Sequence, residues 1–103
     1  MVSDVLYFGM ARVKGVVTAD EWSHFLQTVV TRRFPAGLTS WQASGQWKSA
    51  DGTIVREPSY VVQLIHADTA QNETAVRAIV SEYKSRFEQE AVMRVKDRAC
   101  ISF

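Results

Sequence analysis

Two stretches of the chain are apolar at nearly every position, Val5–Met10 and Tyr60–Ile65. A strand with one face in water alternates apolar and polar residues, whereas a strand covered on both faces reads as a continuous apolar run. The pattern therefore predicts two central strands in a sheet that is covered on both sides. A chain of 103 residues has few elements for that purpose. We therefore expect a partner subunit, a ligand or both to cover one face.

Two other segments have the periodicity of amphipathic helices. The first follows Thr18-Ala19-Asp20-Glu21, whose spacing predicts a capping box with Thr18 at the N-cap. The second has either Asp68 or Thr69 as its N-cap. The residues predicted to face the sheet recur at three- and four-residue intervals. They are Trp22, Phe25, Leu26, Val29 and Val30 in the first helix, and Val76, Ile79, Val80, Tyr83 and Phe87 in the second.

The remaining pattern predicts strands over residues 4–12, 38–48, 53–66 and 91–95, with 100–103 extending or returning the last one. Pro58 requires a break, a bulge or an edge position near the start of the third strand. The order β-α-β-β-α-β over residues 1–103 predicts a single α+β domain of ferredoxin-like fold. Its four-stranded antiparallel sheet has both helices on one face. In that topology the first and third strands are central, in agreement with their apolar character. We expect a homodimer, paired through sheet faces as a dimeric α+β barrel.

Composition excludes several classes of partner. The chain is 47% hydrophobic and 22% charged, as in ordinary soluble domains, and its formal net charge is +1. Without a basic excess, we expect neither a nucleic acid nor an anionic membrane as partner. Leu6–Gly9 is similar to the aromatic first strand of RNA-recognition domains, but Tyr60–Ile65 lacks the basic, glycine-rich pattern of their third strand. No signal peptide or membrane span is evident, which indicates a cytoplasmic protein.

The chain offers few residues for metal or cofactor chemistry. His24 and His66 are the only histidines and Cys100 is the only cysteine, and none has a metal-binding spacing. The glycines form no phosphate-binding loop. We therefore expect no metal and no cofactor. His66 ends a central strand, where a structural hydrogen bond is favoured over a general-base role. Cys100 is expected to be a small buried hydrophobe.

The strongest candidate site residues surround Pro58. Glu57 is a candidate general base, Arg56 a candidate anion or carbonyl anchor, and Ser59 a candidate binding residue. Gln89 and Glu90 follow the second helix and are expected at the same end of the sheet. The alternative is a structural network, or a solvated salt bridge, that ties the hairpin to the second helix.

Two further residues are candidates for ligand binding. Gln46 lies between Gly45 and Trp47 on the alternating second strand, where its amide is placed to bind a ligand amide or carbonyl. It is equally typical of an exposed polar position. Tyr7, in the first strand, is expected to line a cavity between the sheet and its partner.

Six runs of residues together carry a resemblance to a known family: Leu6–Gly9, Arg33–Thr39, Gly45–Trp47, Arg56–Ser59, Tyr83–Glu90 and Cys100–Phe103. They resemble a bacterial family catalogued only as a domain of unknown function, number 3574. Arg32 departs from this pattern, since relatives often have proline there. The resemblance covers nearly the whole chain, and it implies no known activity.

Two functions remain open from the sequence. The leading hypothesis is a domain that binds a small organic molecule between its sheet and a partner, with cofactor-free chemistry such as isomerisation, cyclisation or oxygenation. The alternative is a non-catalytic sensor or interaction module that forms homo-oligomers. A closed cavity lined by Glu57, Arg56, Tyr7 or Gln46 favours the first, and a solidly packed sheet face favours the second.

Overall fold

The computed structural model describes residues 1–103. Its main sheet has four antiparallel strands in the order β4-β5-β1-β6, and a small separate hairpin pairs β2 with β3. The predicted α+β, ferredoxin-like fold is confirmed, with the first and third predicted strands, here β1 and β5, at the centre. The elements are β1 (Val2–Gly9), β2 (Ala11–Arg12), β3 (Gly15–Val16), α1 (Ala19–Phe25, continued by a π-helical turn at Leu26–Val30 and a last turn at Thr31–Arg33), β4 (Thr39–Lys48), β5 (Ile54–His66), α2 (Ala70–Arg86) and β6 (Met93–Arg98).

Both predicted helix starts exist. Thr18 caps α1 with its side chain, and Glu21 completes the capping box by accepting a hydrogen bond from the Thr18 backbone. Of the two candidates for α2, Thr69 is the N-cap, and its hydroxyl accepts from the backbone N–H of Asn72 at 3.1 Å. These caps satisfy donors that the first turn of a helix leaves free, so each helix begins where its polar cap residue ends the preceding loop.

The helices cover one face of the sheet. Phe8 of β1 lies at the centre of the aromatic core, with its ring centroid 5.0 Å from Trp22, 6.0 Å from Phe25 and 4.7 Å from Tyr83. The predicted helix faces are correct, since eight of their ten residues are buried and Leu26 and Val80 pack beside them. Side chains alternate between the two faces of a strand. The even-numbered residues Leu6, Phe8, Val62 and Leu64 therefore point to the helices.

The ends of the first and last strands differ from expectation. β1 runs over Val2–Gly9 rather than residues 4–12, because the chain turns away after Gly9 to form the β2–β3 hairpin. β6 is Met93–Arg98 rather than 91–95, since it must align with β1 from Tyr7 to Val2. Residues 99–103 form no strand. Cys100 is consequently exposed, and the expectation of a buried thiol was wrong.

Pro58 does not interrupt β5, which pairs with β4 continuously from Ile54 to Gln63. Because proline has no backbone N–H, Pro58 cannot donate a hydrogen bond to the carbonyl of Met10 opposite it. Its carbonyl still accepts from the Met10 N–H at 3.1 Å, while the Met10 carbonyl accepts from Val17 at 2.7 Å. The strand tolerates proline because Val17 supplies the donor that proline cannot.

The face of the sheet opposite the helices is open and largely apolar. We call it the open face. Trp41 is 44% exposed, Trp47 54% and Met93 58%. Ile65 and Val95 are also exposed there, and the central Val61 is buried between its neighbours. One chain therefore covers only one of the two apolar faces that the sequence of the central strands predicts.

Candidate functional site

Glu57 lies on the open face, where β5 passes the end of β1. The next residue of β5 on that face is Ser59, which pairs with Gly9 of β1 and with Ala43 of β4. Gly45 pairs directly with Glu57. These four neighbours are small and leave space around the carboxylate. We call the five residues Gly9, Ala43, Gly45, Glu57 and Ser59 the Glu57 recess.

Gly9 makes room for the carboxylate. A Cβ atom at residue 9 would lie 3.0 Å from Glu57 Oε1 and 3.6 Å from Gln89 Oε1. Both oxygens therefore face the same small volume beside the glycine. The structure thus brings Glu57 and Gln89, from distant parts of the sequence, to one point at the end of β1.

The two side chains differ in how they are held. Gln89 donates from Nε2 to the Ala11 carbonyl at 2.6 Å and to the Phe87 carbonyl at 3.2 Å. These bonds use its amide nitrogen and leave Oε1 turned toward Gly9. Glu57 is half-buried, and its carboxylate forms neither a hydrogen bond nor a salt bridge with the protein. A carboxylate in such a position retains its capacity to accept a proton or bind a cation.

Tyr83 supports the recess from the helix side. Its hydroxyl donates a 2.6 Å hydrogen bond to the Gly9 carbonyl, which fixes the end of β1 against α2. Burial, and then the negative charge of Glu57, raise the pKa of the Tyr83 hydroxyl above its usual range. The hydroxyl is therefore a neutral donor at any physiological pH, and the Glu57 charge is close enough to affect it.

The other predicted site residues fall into two groups. Ser59 and Tyr7 share the open face with Glu57, and both are half-buried. Arg56 and Gln46 pair with each other across the β4–β5 hairpin and are exposed on its opposite face. They line a groove of about 440 Å³, whose other lining residues are Ser44, Gly45, Glu57 and Pro58. Arg56 and Glu57 therefore border one groove, but consecutive strand residues point to opposite faces, and Arg56 forms no hydrogen bond or ion pair with the Glu57 carboxylate.

Glu90 is exposed and makes no hydrogen bond or ion pair with the protein. It lies between the end of α2 and the start of β6, and its neighbour Gln89 alone reaches back to the end of β1.

A second polar cluster was not foreseen. Asp4 is fully buried on the helix side of β1, and its carboxylate accepts from His66 Nε2 and from Arg94 Nε, each at 2.7 Å. Arg94 also donates two 2.8 Å hydrogen bonds to Glu73, which binds Lys96 and Arg77 as well. The bonds from Arg94, Lys96 and Arg77 lower the pKa of the Glu73 carboxyl well below its usual range.

This charged cluster has a structural role, because its charges are paired within the protein. It ties β1, β5 and β6 to the first turn of α2. His66 also contacts the Ala67 carbonyl through Nδ1 at 2.9 Å, as the structural alternative for this histidine predicts. The sequence did contain one signal: Asp4 is a charged residue at a core position of an otherwise apolar strand.

The fold and the Glu57 recess define a class: a small α+β, ferredoxin-like protein with an unpaired carboxylate on an open sheet face. The chain belongs to the family described as protein of unknown function (DUF3574), whose sequence profile matches residues 3–103. No curated protein matches the chain in sequence. None of its helices has the length and apolar character needed to cross a membrane, and no three potential metal-ligating side chains cluster together.

Solved structures of a phage protein are similar to this fold. One is described as phage SAM lyase in complex with S-methyl-5'-thioadenosine, and it matches with a TM-score of 0.68 and 19% sequence identity over 93% of this chain and 79% of that chain. The apo form of the phage SAM lyase matches with the same TM-score and identity, over 93% and 78% of the two chains. At this identity the likeness establishes the fold.

Proposed function

We propose that this protein is a cofactor-free enzyme that binds a small organic molecule in the Glu57 recess. One observation carries the proposal: the half-buried Glu57 carboxylate has no partner in the protein, yet it converges with Gln89 Oε1 on the space left by Gly9. Surface carboxylates are usually solvated or paired, and buried ones are paired. An unpaired carboxylate in a recess between apolar residues is the arrangement expected of a binding site.

The chemistry available to this arrangement is proton transfer and charge stabilisation. Glu57 can accept a proton from a bound molecule or stabilise positive charge that develops on it. Gln89 Oε1 can accept a hydrogen bond that orients the molecule. Isomerisation, cyclisation and elimination need no more than this. The likeness to a lyase supports these reactions more than oxygenation, because lyase reactions need no oxidant.

A second copy of the chain completes the site in this proposal. The recess opens onto the open face, and a monomer rarely leaves so many contiguous large apolar side chains in water. Covering that face with a partner sheet would exclude water from Glu57, which strengthens its electrostatic interactions with a ligand.

The test combines ligand retention with a matched pair of variants. Native mass spectrometry of the protein purified from its own host should show a bound small molecule. S-Adenosylmethionine is the first substrate to assay, because of the structural likeness to phage SAM lyase. The Glu57→Gln variant keeps the shape of the side chain and removes its charge. It should lose ligand or reduce turnover about 10²–10⁴-fold, with an unchanged melting temperature.

The control is Glu90→Gln, which removes an exposed, unpaired carboxylate next to Gln89 in the sequence. It should behave as the unmodified protein does. Equal turnover or equal ligand retention in the Glu57→Gln variant and the control would refute a role for the recess.

The open face also favours a second candidate function, a homo-oligomeric sensor or interaction module without catalysis. The exposed side chains of Trp41, Trp47 and Met93 are the observation behind it. In that case the two sheets would pack against each other without a cavity, no small molecule would be retained, and Glu57→Gln would change only stability or assembly.

A further inference from the structure

The side-chain atoms that face the space beside Gly9 are hydrogen-bond acceptors. They are the Glu57 carboxylate oxygen Oε1 and the Gln89 amide oxygen Oε1. The Gln89 amide nitrogen is turned away toward backbone carbonyls. A ligand that fills this space therefore meets one negatively charged and one neutral acceptor, while Ser59, the other polar side chain of the recess, has a hydroxyl that donates or accepts.

No basic side chain of the main sheet shares this face. The register places the odd-numbered residues of β1, β4, β5 and β6 on the open face, and only Glu57 and Asp97 among them are charged. Arg94, Lys96 and Arg98 of β6 have the opposite parity. Arg12, the basic side chain that influences the nearby Tyr83, is held by Glu21 at 2.9 Å. Arg56 borders the same groove as Glu57 from the opposite face, but no basic side chain forms an ion pair with the Glu57 carboxylate.

Aromatic side chains flank the recess along the strands. On β4, Trp41 precedes Ala43 and Gly45, and Trp47 follows them on the same face. The two tryptophans are six residues apart, or about 20 Å along an extended strand. Tyr7 lies in the same cross-strand row as Trp41. An aromatic face attracts a cation through its quadrupole, and tryptophan does so most strongly.

Together these features select the charge of the ligand. We infer that the Glu57 recess recognises an organic cation, such as an ammonium or sulfonium compound, with an apolar or aromatic portion that packs against Trp41, Trp47 or Tyr7. This inference rests on the proposed function for the location of the site. Its own basis is the charge and chemistry of the residues around that location.

The experiment compares three probes of similar size that differ in charge: phenethylammonium, 2-phenylethanol and phenylacetate. Each is titrated into the isotopically labelled full chain, and the amide resonances of Gly9 and Gly45 and the indole resonances of Trp41 and Trp47 are followed by NMR. Phenethylammonium should bind at least about tenfold more tightly than 2-phenylethanol, and phenylacetate should bind least, because a charged partner strengthens a hydrogen bond to a carboxylate. Glu57→Gln should abolish the preference, and Glu90→Gln should retain it.

The outcomes separate the two proposals. Shifts at Gly9 and Gly45 with equal affinity for all three probes would overturn the inferred cation preference and leave the proposed site in place. Shifts confined to other parts of the chain would overturn both. A cation preference that persists in Glu57→Gln would also overturn the inference, because the carboxylate would then not be its cause.

Discussion

At the scale of single residues, Gly9 is the position on which the proposed site depends. It needs no unusual backbone angle, so its role is to leave space. An alanine Cβ would approach Glu57 Oε1 to 3.0 Å and displace the carboxylate. We expect Gly9→Ala to reduce ligand binding about as strongly as Glu57→Gln, with only a small change in melting temperature, measured by calorimetric titration and thermal unfolding.

Gly45→Ala is the matched control for this substitution. Its added Cβ would meet only the Glu57 backbone oxygen, at 3.6 Å, which is ordinary van der Waals contact. Equal loss of binding in the two alanine variants would mean that any added methyl group in the recess blocks the ligand, and that the Glu57–Gly9 contact is not special.

Residue-scale prediction from the sequence succeeded where a local rule applied. The capping box at Thr18 is such a case, because its two hydrogen bonds lie within four residues. The sequence prediction joined Arg56 to Glu57, although adjacent residues of a strand point to opposite faces. The strand order was enough to expect Gln89 at the same end of the sheet as Glu57, but its approach to Gly9 depends on how the chain turns between α2 and β6, which no local pattern encodes.

At the scale of elements, α2 is fixed to the sheet by its apolar face. Ile79 is fully buried in the core cluster. Ile79→Ala should lower the free energy of unfolding by about 2–5 kcal/mol, because it removes buried methyl and methylene groups and leaves a cavity. Urea denaturation measures this value. Thr74→Ala, on an exposed position of the same helix, should change it little, and similar losses in both variants would contradict the helix orientation.

The first turn of α2 is also held electrostatically, by Glu73. The hydrogen bonds from Arg94, Lys96 and Arg77 lower the pKa of this carboxyl in the folded protein. Its stabilising effect is therefore complete above its unfolded pKa, near 4.3, and is lost as the pH falls and the folded group is protonated. Chemical denaturation between about pH 5 and pH 2 should show stability falling more steeply in the unmodified protein than in Glu73→Gln. Parallel pH profiles would show that Glu73 does not couple folding to acid.

Element types and their order were predictable because the two apolar strands and two helix periodicities are each strong and local. The ends of the elements were less predictable. β1 stops at Gly9 because Ala11 and Arg12 pair with Val16 and Gly15 instead of continuing beside β5. Pro58 was expected to need a break, a bulge or an edge position; it lies just past Ser59, where the pairing of β5 with β1 ends, and Val17 supplies the donor that proline lacks. Both outcomes depend on contacts between separate segments.

At the scale of the whole molecule, we expect the open face to determine the oligomeric state of the protein in solution. The exposed Trp41, Met93 and Val95 should be buried against a second copy. Light scattering should give a particle of twice the 11.6 kDa chain mass, and Val95→Lys should shift it toward the monomer because a lysine would then face the partner sheet. If the unmodified protein is a monomer at all concentrations, then no second copy covers the recess and this part of the proposal fails.

The pairing of β1 has a consequence for how quickly the chain folds. Val2 pairs with His66 on one side and with Arg98 on the other, so both neighbours of the first strand come from far along the sequence. The chain must close two long loops before the strand that contains Phe8 is secured, and mixed α/β domains with such distant pairings fold more slowly than helical bundles, which are rich in local contacts. During synthesis on the ribosome, β1 must therefore wait for most of the chain to emerge before its apolar side chains are covered.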